Sequence, residues 1–143
     1  MRLAERIKTD VGTAMKARDR DRVGALRLML AELQQDAKEG AGDEQAVLRR
    51  ERKRRRDAET AFRDAGRPEL ADREAYEGTL IDAYLPSQLD DAELDVLVRA
   101  AIAETGAESV RDMGRVIKHA MTAAAGRAEG ARVSARVKEA LAA

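Results

Sequence analysis

Leu3, Ile7, Val11, Ala14 and Met15 recur at steps of three and four, which sets them on one side of a helix ending near Arg18. The run "DRDR" at 19–22 supplies an acidic start for a second helix. Val23, Leu26, Leu30, Leu33 and Ala37 form its apolar stripe, widened by Leu28 and Met29. The "GAG" at 40–42 predicts a break, with Asp43 as N-cap of a third helix from Glu44 to about Ala65, stopped by Gly66. Pro68 suits the first turn of a fourth helix, which carries Leu70, Leu80, Ile81, Tyr84 and Leu85. No segment alternates cleanly between apolar and polar positions, so strands are not expected.

Pro86 disfavours helix at Leu85 and opens the break "LPSQLD". The helical pattern then restarts at Asp90, an N-cap with Glu93 three residues on. Leu94, Leu97, Val98, Ala101 and Ile102 line this fifth helix. A sixth, starting after Ser109, buries Met113, Val116, Ile117, Ala120 and Met121, and a seventh offers Val133, Val137, Ala140 and Leu141 after the turn "AGRAEG". The expected architecture is all-α: a four-helix N-terminal domain over 1–86 and a three-helix tail bundle over 87–143.

Charge changes this picture at one place. Residues 49–56 read "RRERKRRR" in a chain of 27 basic and 27 acidic residues. On a helical projection Val47, Ala58, Ala61, Phe62 and Ala65 share one side, with Leu48 at its edge. Arg49, Arg52, Lys53, Arg56 and Arg63 fall opposite, and the first four are expected to form an exposed basic face that contacts RNA phosphates. Arg54 and Arg55 flank Glu51 near the apolar side, where Glu74 and Glu77 are their expected partners. No aromatic interleaves with these arginines, so any RNA contact would be to backbone and shape rather than stacked bases. The tail is polarised as well: residues 87–108 hold one basic and six acidic side chains, residues 109–143 seven and three. Arg111, Arg115, Lys118, Arg127, Arg132 and Arg136 are expected to line one side of its last two helices, the first five as further RNA contacts.

Composition narrows the chemistry. Aromatic residues make up 2% of the chain, cysteine is absent and His119 is the single histidine. Thiolate chemistry and disulfides are thereby excluded, and a zinc site would need a set of carboxylates whose spacing is not present. There is no P-loop and no GxGxxG. No catalytic, cofactor-binding or metal-binding set is read from the sequence. No apolar run approaches a membrane span, and without a signal peptide the cytoplasm is the expected location.

Four segments together resemble the YqeY family over essentially the whole chain: "MKARDRDRVGALRLMLAEL", "AGRPELADREAYE", "AYLPSQLDDAEL" and "DMGRVIKHAM…GRAEGARVSARVKEAL". The first carries the K-x-R-D-x-x-R…LR pattern of that family. The resemblance implies a helical N-terminal domain and a small helical tail shared with the GatB subunit of glutamine-dependent tRNA amidotransferases, where the tail helps hold tRNA. Arg115 matches a frequently basic site and Glu129 stands where Asp is frequent, while Thr122 and Ala123 replace a Pro-Lys-like pair. The expected function is a non-catalytic module binding tRNA or another structured RNA. The alternatives are a protein-interaction adaptor, with a partner in translation, and an accessory component of an amidotransferase complex. Any carbon–nitrogen ligase activity would then need partner subunits.

Overall fold

The computed structural model describes residues 2–40 and 42–143; the expected break at 40–42 includes Ala41, which lies outside the described residues. Among the described residues there are seven α-helices, one short 3-10 helix and no strand, an all-α fold. The chain divides into two compact units, the first ending at Leu85 and the second running Pro86–Ala143.

In the first unit α1 (Leu3–Lys16), α2 (Arg20–Glu39), α3 (Glu44–Asp64) and α4 (Pro68–Asp82) follow the apolar stripes. Asp19 caps α2 by accepting from Arg22 N, and Asp43 caps α3 by accepting from Ala46 N. The start of α1 has no side-chain cap of its own. Its first amides instead donate to Glu44 of α3, Leu3 N to Oε1 at 3.1 Å and Ala4 N to Oε2 at 2.9 Å. A carboxylate there also faces the positive end of the helix dipole. Gly66 closes α3 at a φ of 72°, a backbone state that side chains with a Cβ adopt reluctantly.

Ile7, Leu26, Met29, Leu33, Val47, Leu48, Leu80, Ile81 and Tyr84 make the core of this unit. Burial forces Tyr84 to satisfy its hydroxyl, which donates to Asp10 while Arg6 lies 5.1 Å from the ring centre. The apolar core reaches only the first turns of α3. Ala61 and Ala65 are exposed and Phe62 is half-buried, so beyond Leu48 the α3–α4 pair adds ion pairs to a thin apolar contact in which Ala71 is the fully buried side chain. Leu28, expected to widen the α2 stripe, is 60% exposed.

The second unit contains α5 (Asp91–Thr105), the 3-10 turn Val110–Asp112, α6 (Met113–Ala124) and α7 (Gly130–Ala142). Asp90 accepts from Glu93 N, and Ser109 with Asp112 forms a reciprocal capping box. Gly106 ends α5 at a φ of 69°. Leu94, Val98, Val116, Val133 and Val137 are its deepest side chains, packed with Ala101, Ala120, Ala124 and Ala128. Small side chains let three short helices approach closely around a slender core. Ala140, expected among them, is exposed.

Candidate nucleic-acid interface

The arginine block is more neutralised than its sequence suggests. Arg50 meets Asp36 at 3.4 Å, Arg52 meets Asp82 at 2.7 Å, Lys53 meets Asp57 at 2.7 Å and Arg54 meets Glu51 at 2.7 Å. Arg55 sits between Glu74 at 3.0 Å and Glu77 at 3.2 Å, with Glu51 at 3.9 Å. Such pairs cancel much of the field that seven cations would otherwise project.

The orientation of α3 corrects the expected face. Leu48, placed at the edge of the apolar side, is fully buried, whereas the alanines at 61 and 65 are out in solvent. The helix is therefore turned toward Leu48, since one large side chain outweighs several alanines in buried area. That turn carries Arg52 onto α4. Its side chain is only 21% exposed and lies across Gly78, where an added Cβ would stand 2.3 Å from Arg52 Nη1. Arg49 and Arg56 are half-buried, and burial with the neighbouring Arg52 charge lowers the Arg56 pKa. Of the four residues assigned to an exposed face, only Lys53 is fully exposed.

Arg54 is likewise corrected: it is exposed and pairs with Glu51 rather than with α4. Arg55 does meet both expected partners. Its approach to Glu74 is a charge contact without hydrogen-bond alignment, because Arg55 Nε and Glu74 Oε2 are buried with no hydrogen-bond partner among the described residues.

In the tail the basic residues separate into two groups instead of lining one side. Arg127 Nε donates to Ser87 O at 2.8 Å, and Arg132 donates to Leu89 O at 2.6 Å and Asp91 at 2.8 Å. Arg136 reaches Asp91 and Asp95, each at 3.2 Å. These three hold the segment before α5 and neutralise its acidic start. The hydrogen bond from Arg132, with Arg136 beside it, holds the Asp91 carboxyl below its usual range.

Arg115 and Lys118 on the exposed side of α6 form the other group, with Arg111 exposed in the 3-10 turn just before that helix. Arg115 donates to Thr105 O at 2.8 Å and to Asp112 at 2.9 Å. Asp112 also accepts the amides of Glu108 and Ser109, and these bonds, the Glu108 amide foremost, lower its pKa. Arg111 and Lys118 are exposed and make no ion pair among the described residues. His119 contacts Glu104 beside Lys118, and Thr122 and Ala123 complete a shallow depression.

No cluster of His, Asp and Glu suited to a metal is found among the described residues. No described helix is long and apolar enough to cross a membrane. One basic surface escaped the sequence reading. At the α1–α2 corner Met15, Arg18, Arg20, Val23, Gly24 and Arg27 line a depression with no carboxylate in its wall. The "DRDR" run looked like helix-start electrostatics because aspartates and arginines alternate in it. Only the fold separates them, since Asp19 is used as a cap while Arg18 turns at a φ of 58°.

A search of curated proteins found no match to this sequence. The model of the family described as "Yqey-like protein" matches residues 4–141, which takes in all seven helices up to the last turn of α7. With that match the segments quoted above and the helical order agree, and the chain belongs to the YqeY family.

Proposed function

We propose that this chain is a non-catalytic, cytoplasmic RNA-binding module, acting on tRNA or another structured RNA through the outer side of α6. The observation that carries the reading is the charge accounting. Arg111 and Lys118 are exposed without ion pairs among the described residues, with Arg115 between them in sequence, whereas at least five of the seven cations in the α3 block have carboxylate partners. The resemblance of the tail to a tRNA-holding domain of amidotransferases points the same way. An accessory role in tRNA-dependent amidation fits this reading, with the ligase chemistry supplied by partner subunits.

The test is binding of bulk tRNA across a salt series. Arg111→Gln with Lys118→Gln should weaken binding and flatten the log–log salt slope by roughly 0.7–0.9 per lost phosphate contact. Changing Arg49, Arg52, Lys53 and Arg56 to Gln should leave tRNA affinity nearly unchanged. Absence of salt-dependent tRNA binding by the unaltered chain sinks the reading. The adaptor reading is favoured by a separate feature, the exposed apolar side chains Met15 and Leu28 beside unpaired arginines on the first unit.

A further inference from the structure

The depression at the α1–α2 corner differs from every other basic surface described above. Its wall combines three arginines with an apolar floor. Met15 is 53% exposed, an unusual position for a large apolar side chain, and Arg27 Nη2 lies 3.7 Å from its sulfur. Val23 forms the rest of the floor, and the space above Gly24 is open, with nothing within 4 Å of where a Cβ would be. Arg18, Arg20 and Arg27 have no ion pair among the described residues. No ion pair joins them to the aspartates nearest in sequence among the described residues: Asp19 accepts Arg22 N as the cap of α2, and Asp21 lines the adjoining depression.

That adjoining depression shares Arg20 and Gly24 and continues along α2 to Leu28 and the 38% exposed Tyr76. Its α4 side is lined by Glu69, Asp72 and Glu77, which pair with Arg67, Arg63 and Arg55, with Arg73 among them, while Asp21 stands next to Arg20 on α2. A nucleic-acid backbone laid along this surface would pass from three unpaired arginines to a side whose arginines are already matched by carboxylates. A phosphate chain also gains nothing from Met15 and Leu28. A protein segment meets neither objection, because it can place carboxylates at one end and apolar side chains at the other.

We infer that the α1–α2 corner docks an acidic, amphipathic segment of a partner protein. Its Asp or Glu side chains pair with Arg18, Arg20 and Arg27, and one apolar side chain sits over Met15 and Val23. Met15 suits that role because a flexible thioether repacks around different partners. Guanidinium groups suit the rim, since each can hold a carboxylate through two parallel hydrogen bonds.

Short random peptides displayed on phage, selected on the full chain, test this inference. Enriched peptides are then synthesised and titrated against the unaltered chain, the Arg18→Gln/Arg20→Gln/Arg27→Gln variant and Met15→Ser, with and without tRNA. All four positions are exposed, so both variants should keep their helical spectra. The expected result is a consensus of acidic residues next to an apolar one, about tenfold weaker on the triple variant, weaker on Met15→Ser, and not displaced by tRNA. The inference is overturned by no enrichment, by peptides lacking acidic residues, or by affinities unchanged in both variants. It is also overturned if tRNA displaces the peptide and itself binds the triple variant more weakly, which assigns the corner to nucleic acid. Failure of tRNA to bind the unaltered chain would remove the α6 reading and leave this one standing.

Discussion

Arg54 and Arg55 are adjacent and chemically identical, yet their surroundings give them different weights. Arg55 is 25% exposed and is the cation between three carboxylates that are each less than a fifth exposed. Replacing it by Gln leaves Glu51, Glu74 and Glu77 facing one another in a poorly hydrated seam. The expected loss is about 2 kcal/mol, below the roughly 3–5 kcal/mol of a fully buried pair because water reaches this one. Arg54 is 62% exposed, and Arg54→Gln should cost about 0.5 kcal/mol or less. Urea denaturation of the two single variants checks both values, and equal losses would refute the assignment.

Between α3 and α4 the deciding contact is a side chain laid across a glycine. Gly78→Ala should gain about 1 kcal/mol from helix propensity and displace the Arg52 guanidinium, whose pairing with half-exposed Asp82 is worth about 0.2–1 kcal/mol. Net stability should therefore change little, while the coupling between Arg52→Gln and Asp82→Asn in a double-mutant cycle falls to near zero. Persistence of that coupling would show that Arg52 reaches Asp82 by another path. The helices and their caps were legible in the sequence because they depend on neighbours: Asp43, Asp90 and Ser109 each act within a few residues. The roll of α3 was not, because alanines at 58, 61 and 65 define a side without the bulk to enforce it. Nor were the partners of its arginines, which lie 22 residues away for Glu77 and 30 for Asp82. In the tail, Arg127 and Arg132 look like surface cations until Ser87 and Leu89 are brought beside them some 40 residues back. The corner depression depends on a turn that separates aspartates from arginines only after folding.

For the molecule as a whole, the two units should respond to opposite ends of the pH scale. Asp91 and Asp112 in the second unit are held below the usual carboxylate range. Their contribution is present above the unfolded value of about 3.9 and is lost as pH falls through their lower native values. Tyr84 in the first unit is shifted up, chiefly by burial and then by its bond to Asp10. Its contribution is complete below about pH 10 and declines above it, as the unfolded chain ionises first. Phe62, Tyr76 and Tyr84 all belong to the first unit, so tyrosine fluorescence reports on that unit alone. Acid titration should reduce helicity before tyrosine fluorescence changes, and in alkali Tyr84 should ionise only as helix is lost. Coincident changes in acid would argue that the units unfold together. The cap of α1 also orders events in time. During synthesis Leu3 and Ala4 are joined to the chain about forty residues before Glu44, the carboxylate that satisfies their amides, has been made. The helix α1 must wait, its opening turn frayed, for α3 to arrive and finish it.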